Sequence, residues 1–246
     1  MFAQTTKAAV PIYPESDGKP MAETDIHAQC LIDLRTALDY HFREQSDIYV
    51  SGNLLVYYVE GNPAKCFAPD VFVVRGVPKG QRRIYKLWEE GVAPQFIIEI
   101  TSRRTSREDL QTKWRLYEQL GVHEYFLFDP EYDYLDEPLL GYRLEAGRYQ
   151  ELNVKDHRVS SEVVGLELVD TGQTLRLLDP VTGHFLPNSQ EAVATQEQLQ
   201  VALQAEREAQ EQLQSALQAE REAQKRAAEL EATLARYREQ FGDLPK

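Results

Sequence analysis

Residues 94–102, PQFIIEITS, form the most apolar strand-like run in the chain and carry one glutamate, Glu99, in its interior. Apart from Glu99 both faces are hydrophobic, as expected of a central strand that is covered on both sides. The next segment, SREDLQTKWRLYEQLG, has a capping-box-like start at Ser106 and Asp109 and a helix stop at Gly121. HEYFLFDP then predicts a second strand. This order predicts a right-handed crossover and a parallel pair of strands.

The flanking segments predict a mixed α/β architecture. Residues 24–45 predict an amphipathic helix, because apolar side chains recur at helical spacing at Ile26, Leu31, Leu34, Leu38 and Phe42. DIYVSG, NLLVYYVEG and PDVFVV are strand-like, and KGQRRIYKLWEEG predicts a short helix or a loop. After Pro138, GYRLEAGRYQEL predicts a hairpin that turns at Ala146 and Gly147, and TLRLLDPVTGHFLP one that turns at residues 179–183. We expect a leader over residues 1–22, an α/β domain with a mixed sheet over 23–188, and a helical tail over 189–240.

Composition narrows the compartment and the partners. The net charge of −13 argues against indiscriminate binding to nucleic acid or anionic membranes. A polyanionic partner therefore needs a local basic patch or a bound metal. The two cysteines, Cys30 and Cys66, do not form a CxxC motif, which favours a reduced, cytosolic protein. The first residues lack a signal-like apolar region and no run of about 18 apolar residues occurs, so we expect a cytoplasmic protein with a flexible leader and no membrane partner.

The tail contains an internal repeat. LQVALQAEREAQEQ from Leu199 is followed by LQSALQAEREAQKR from Leu213, a repeat of fourteen residues. If Leu199 and Leu213 occupy heptad position d, then Leu203 and Leu217 occupy position a. The intervening core positions are polar, at Glu206, Gln210, Glu220 and Gln224, and alanines at 202, 209, 216 and 223 flank the seam. The pattern predicts a helix with a weak coiled-coil face, and we expect a homodimer through it. A partner helix or a solvated single helix are the alternatives.

Three charged residues stand where local propensity disfavours them. Asp70 follows Pro69 and begins the strand VFVV, although aspartate is a poor strand former. Glu99 lies inside the most apolar strand, where an ionised carboxylate is costly without a cation, a metal or hydrogen-bond donors. Lys113 falls on the face of its helix that Leu110, Trp114 and Tyr117 are predicted to line, and this helix follows the Glu99 strand. We expect the two carboxylates and the lysine to converge at one end of the sheet.

Such a group has a defined chemical capacity. An aspartate and a glutamate can hold Mg²⁺, with Mn²⁺ as an alternative, between carboxylates, waters and a phosphate oxygen. The metal lowers the pKa of an attacking water and stabilises negative charge on the phosphorus centre. A nearby lysine can orient that water or offset developing charge. These are the minimal groups for metal-dependent hydrolysis of a phosphodiester.

The residues resemble the PD-(D/E)xK nuclease superfamily, and within it the bacterial restriction endonuclease family of the Uma type. The resemblance runs from about His27 to Pro187 and rests on PDVFVV, FIIEITS, GVHEYFLFDP and LRLLDPVTGHFLP, and on the DLxxKxxxY pattern of Asp109, Leu110, Lys113 and Tyr117. The tail, rich in Glu, Ala and Arg and ending in LARYREQFGDLP, is common in that branch.

The resemblance implies a restriction-endonuclease-like fold and a metal-dependent DNA endonuclease. It makes Asp70 and Glu99 the Mg²⁺ ligands, helped by the Ile100 carbonyl. The superfamily's lysine normally stands two residues after the glutamate, where this chain has Thr101. In the similar branch the lysine is on the following helix, which makes Lys113 the third catalytic residue.

Structural explanations remain open for each residue. Asp70 could be a turn residue, Glu99 a buried partner of Arg103 or Lys113, and Lys113 a side chain that extends from the helix edge into solvent. The basic side chains are either phosphate contacts or a solvated face: Arg82, Arg83, Lys86 and the arginines of TSRRTSRED. The histidines, at 27, 41, 123, 157 and 184, lack metal-ligand spacing, and the sequence assigns them no role.

Two other functions compete with the DNA endonuclease. One is a non-catalytic protein that keeps the nuclease-like fold and binds DNA or protein, with the tail as its interaction element. The other is a nuclease-fold enzyme that acts on RNA.

Overall fold

The Glu99 strand lies in the interior of a six-stranded sheet. The computed structural model describes residues 11–16 and 24–242; the rest of the predicted leader lies outside these ranges. The strands of this sheet, in their spatial order, are β1 Ile48–Ser51, β4 Val71–Arg75, β6 Phe96–Ile100, β7 Glu124–Phe128, β8 Leu139–Glu145 and β9 Arg148–Glu151. Strands β6 and β7 pair in parallel and the other neighbours are antiparallel. The predicted mixed sheet and its parallel pair are therefore confirmed.

Two smaller sheets complete the domain. One has the order β3-β2-β5, formed by β2 Val56–Tyr57, β3 Cys66–Phe67 and β5 Tyr85–Lys86. A short helix, α2 Leu87–Glu90, follows β5. The other sheet has four antiparallel strands, β10 Arg158–Ser161, β11 Leu166–Asp170, β12 Leu175–Asp179 and β13 His184–Phe185. The β8–β9 hairpin turns where predicted, with positive φ at both Ala146 and Gly147, as a two-residue turn of this kind requires.

The central sheet is covered on both faces, which explains why β6 is apolar apart from Glu99. On one face, Ile98 and Ile100 pack in a core with Leu34 and Leu38 of helix α1, Asp25–His41, and with the four-stranded sheet. On the other face, Ile97 packs in a core with Tyr117 and Tyr125. Successive side chains of a strand point to opposite faces, so Glu99 and Thr101 share the face of Ile97.

Helix α1 begins one residue after the predicted start, residue 24, and ends four residues before the predicted end, residue 45. The Thr24 hydroxyl caps it by accepting a hydrogen bond from the His27 N–H at 3.3 Å. One assignment is wrong: Ile26, expected on the apolar face, is exposed, whereas His27 is buried in its place.

The helical segment after β6 is irregular, and this irregularity changes which residues face the sheet. Helix α3, Ser106–Glu108, continues into a π-helical turn, Asp109–Lys113, and then into helix α4, Trp114–Leu120. Gly121 ends it with φ 77°, as predicted. The wider π turn shifts the helical register. As a result Leu110, predicted to face the sheet, is 37% exposed, and Asp109 is buried.

The predicted capping box is also wrong. Thr105 is the N-cap residue and its side chain makes no capping hydrogen bond. Ser106 is therefore not the capping residue, and the Asp109 carboxylate lies 2.9 Å from Lys113 Nζ.

The tail forms one helix, α5, Ser189–Phe241. By its internal contacts the chain divides into two units, Met1–Ala192 and Val193–Lys246. The leucines of the repeat, Leu199, Leu203, Leu213 and Leu217, are all exposed on α5. Within the described residues, no helix has the length and apolar character needed to cross a membrane.

Candidate active site

The antiparallel register of β4 and β6 brings the two predicted carboxylates together. Val71 lies opposite Ile98. Because the strands are antiparallel, Asp70, one residue before Val71, lies opposite Glu99, one residue after Ile98. The Asp70 N–H lies 3.3 Å from Glu99 Oε2, and the Ile100 N–H donates to Asp70 Oδ2 at 2.7 Å. The start of β4 and the end of β6 therefore form one small polar site.

Glu99 is buried completely and is held by donors on both of its oxygens. The Tyr117 hydroxyl donates to Oε1 at 2.6 Å, and Lys113 Nζ lies 2.9 Å from Oε2. Burial raises the pKa of Glu99 to about 8; Lys113 and Tyr117 oppose this shift, whereas Asp70 and Asp109 add to it. Glu99 therefore binds a proton readily, and Lys113 and Tyr117 are the groups that stabilise its ionised form.

Lys113 bridges two buried carboxylates and does not extend into solvent. Its Nζ lies 2.9 Å from Glu99 Oε2 and 2.9 Å from Asp109 Oδ1, and its side chain is only 15% exposed. Burial would lower the pKa of Lys113, but the charges of Glu99 and Asp109 outweigh burial and raise it. Burial raises the pKa of Asp109, as it does that of Glu99. The Tyr125 hydroxyl donates to the Asp109 carbonyl at 3.1 Å and thereby ties the π turn to β7.

His27 is a site residue that sequence reasoning missed. Its Nε2 donates to the Ile100 carbonyl at 2.8 Å and lies 3.4 Å from Asp70 Oδ2. The available signal was its place on α1, four residues before Leu31 on the buried face of the helix. Because Ile100 is distant in sequence, nothing local pointed to this contact.

These groups border a cavity of about 270 Å³. Asp70, Ile100, His27 and Lys113 line it, together with Thr24, Ser102, Arg103, Arg104, Thr105, Glu131 and Tyr134. Glu99 is not part of the lining and lies behind these residues. Among the described residues, neither Arg103 nor Arg104 is in an ion pair, so both guanidinium groups are available to an anion.

Three other basic residues that were candidates for phosphate contacts form ion pairs instead. Arg82 pairs with Glu90 at 2.7 Å, Arg83 pairs with Glu15, and Lys86 pairs with Glu89 at 2.8 Å. These ion pairs neutralise Arg82, Arg83 and Lys86 within their own region. The free basic character of the site is therefore that of Arg103 and Arg104.

The donor set fits a hard divalent cation that retains water. Within residues 11–16 and 24–242, no three His, Cys, Asp or Glu side chains form a cluster able to hold a metal. Mg²⁺, however, is usually bound by one or two carboxylates and several waters. Asp70 Oδ1 accepts no hydrogen bond from the described residues, and Asp70 and Ile100 border the same cavity. Carboxylate and carbonyl oxygens at one point suit Mg²⁺ or Mn²⁺.

The chain is similar to one family of known proteins and to a solved structure. A crystal structure described as a putative nuclease belonging to DUF820, from Anabaena variabilis, is similar to the chain with a TM-score of 0.44 and 18% identity, over 59% of this chain and 76% of that one. A search of curated proteins finds no match. The family model described as "Uma2: Putative restriction endonuclease" matches residues 12–175, which include Asp70, Glu99 and Lys113. The chain therefore belongs to the Uma2 family of putative restriction endonucleases.

Proposed function

We propose that the protein is a metal-dependent endonuclease that hydrolyses DNA phosphodiester bonds. The observation that carries the proposal is the convergence of Asp70, Glu99 and Lys113 beside a cavity that Arg103 and Arg104 also line. Family membership supports the nuclease class. The site supports the metal dependence, because two carboxylates and a carbonyl are the ligands that Mg²⁺ prefers.

Each residue has a role in this proposal. Asp70 and Glu99 hold Mg²⁺ or Mn²⁺ with the Ile100 carbonyl, and His27 fixes that carbonyl through its hydrogen bond. The bound cation supplies a more acidic water and charge neutralisation at the phosphate. Lys113 donates to the attacking water or offsets charge that develops on the phosphate.

Asp109 positions Lys113. Its carboxylate lies 2.9 Å from the ammonium group and, together with Glu99, keeps the lysine protonated. Lys113 can then move away from Glu99 and still keep one counter-charge, that of Asp109.

DNA is the substrate that the surroundings of the cavity favour. In a chain with a net charge of −13, a polyanion is attracted only where cations are concentrated. Arg103 and Arg104 follow β6 directly and supply phosphate contacts there. We further propose a homodimer through α5, since two copies would supply two active sites for a duplex.

One observation favours a non-catalytic role. Tyr117 and Lys113 already satisfy both oxygens of Glu99, so this network is also sufficient as a purely structural one. A nuclease-fold binding protein is thus the second candidate.

Cleavage by the purified full-length chain separates the two. We expect nicking of supercoiled plasmid with Mg²⁺ or Mn²⁺, none with EDTA, and less activity on single-stranded RNA of matched length. Glu99→Ala should remove nicking, whereas Glu89→Ala, which removes an exposed carboxylate from a surface ion pair, should not. A folded wild-type protein that cleaves neither DNA nor RNA would support the binding role.

A further inference from the structure

The surface of α5 carries a pattern that specifies more than a generic coiled coil. In the heptad register with Leu199 at d, the core positions from Gln196 to Glu220 alternate between pairs of leucines and pairs of polar residues. In order along the chain they are Gln196, Leu199, Leu203, Glu206, Gln210, Leu213, Leu217 and Glu220. All of these side chains are exposed on the helix.

A parallel pair of helices would use this pattern badly. In a parallel, in-register dimer each core residue meets its own copy. Glu206 would then face Glu206, and Glu220 would face Glu220, inside the seam. Like charges that meet in a partly desolvated layer repel each other, so the repeat would place two unfavourable layers between its leucine layers.

An antiparallel pair uses the same pattern well, because position a of one helix then faces position d of the other. When the pair is centred on Glu208, Leu199 faces Leu217 of the second copy and Leu203 faces Leu213. Glu206 faces Gln210, and Glu220 faces Gln196. Each core layer is then either two leucines or a carboxylate with an amide, and no layer holds two like charges.

The residues beside the seam support the same arrangement. In an antiparallel pair, position g faces position g, and here the g positions 202, 209, 216 and 223 are all alanine. Small side chains allow close approach of the two backbones. On the other side, position e is occupied by Arg207, which in this arrangement would flank the central layer and bring its guanidinium group near Glu206 of the second copy.

Contacts within the single helix show that the carboxylate and amide layers are chemically compatible. Gln210 Nε2 donates to Glu206 Oε1 at 3.4 Å, and Gln224 Nε2 donates to Glu220 Oε1 at 3.2 Å. The same amide can donate to the facing glutamate of a second copy.

We infer that α5 binds a second copy of this chain as an antiparallel coiled coil centred on Glu208, with Glu206 paired to Gln210 across the seam. The inference concerns the tail alone and holds whether or not the domain cleaves DNA.

Cysteine cross-linking tests the orientation in the full-length chain. In a Cys66→Ser background, where the remaining Cys30 is buried, Leu199→Cys and Leu217→Cys are prepared separately and then mixed. We expect a disulfide between the two different variants and little within either variant alone. Cross-linking of Leu199→Cys with itself would overturn the antiparallel register, and a monomer in light scattering of the wild type would overturn the inference altogether.

A charge substitution gives an independent readout. Gln210→Lys places an ammonium opposite Glu206 of the second copy, so two ion pairs should tighten the dimer roughly tenfold. In a parallel dimer the same change would put lysine beside lysine and weaken it. Gln212→Lys is the matched control, because it adds the same charge outside the seam. The new lysine is four residues after Glu208 of its own helix, just as the lysine of Gln210→Lys is four residues after Glu206. Weakening by Gln210→Lys would contradict the register.

Discussion

Replacing Lys113 with methionine tests whether this lysine stabilises the two buried carboxylates near the end of β6. Lys113 is the ion-pair partner of both Glu99 and Asp109. Removing one partner of a buried pair typically costs about 3–5 kcal/mol of stability. The folded variant can limit this cost by binding a proton on one of the two carboxylates, since burial already raises the pKa of both.

The proton makes the cost depend on pH in a defined direction. Glu99 of the folded wild type loses its proton near pH 8. The folded variant lacks the lysine charge that lowers this pKa and keeps the proton to higher pH, whereas the unfolded chains do not differ in this respect. Stability falls with pH by about 1.4 kcal/mol per unit for each such proton. The wild-type advantage should therefore widen by about 1.4 kcal/mol between about pH 7 and about pH 9.

Urea unfolding of both proteins at several pH values measures this difference. Lys86→Met is the control, because Lys86 pairs with the exposed Glu89 and its loss should cost less than about 1 kcal/mol at every pH. Stability curves for wild type and Lys113→Met that run parallel across this range would refute the reasoning.

Three further predictions follow from the site and the tail. Lys113→Met should slow cleavage by about 10²–10³-fold. Adding Thr101→Lys to this variant should recover part of the loss, because Thr101 shares the strand face of Glu99. If Lys113→Met alone cleaves at the wild-type rate, Lys113 has no role in the mechanism. Mg²⁺ binding at about pH 6.5 should release close to one proton from Glu99, whose pKa is about 8. The heat of binding measured by calorimetry should therefore change with the ionisation enthalpy of the buffer. Identical heats in two buffers of different ionisation enthalpy would contradict this. Deleting residues 193–246 should leave a folded domain of lower mass in solution, because the leucine seam is lost; a truncated chain that still dimerises would place the interface elsewhere.

The sequence predicted the parts of the fold that depend on local patterns. The unit formed by β6, the following helix and β7 was evident from an apolar strand, an amphipathic segment and a second strand. The meeting of Asp70 with Glu99 was expected from two carboxylates placed against strand propensity, and the β4–β6 register accounts for it.

What the sequence did not predict depends on non-local contacts or on departures from ideal helical geometry. The π turn at Asp109–Lys113 moves Leu110 outward and Asp109 inward, and a period of 3.6 residues does not anticipate such a turn. The contact of His27 with Ile100 joins residues 73 positions apart. The ion pair of Arg83 with Glu15 likewise joins distant segments, so charge patterning along the chain gave no sign that Arg83 is neutralised.

The central claim is that Asp70 and Glu99 hold the cation that cleavage requires. Mn²⁺ binding by electron paramagnetic resonance and plasmid turnover, measured on the same samples of wild type, Asp70→Ala and Glu99→Ala, test it most directly. We expect both substitutions to remove Mn²⁺ binding and turnover together while the circular dichroism spectrum stays that of the folded protein. Full turnover, or unchanged Mn²⁺ affinity, in either folded variant would contradict the assignment.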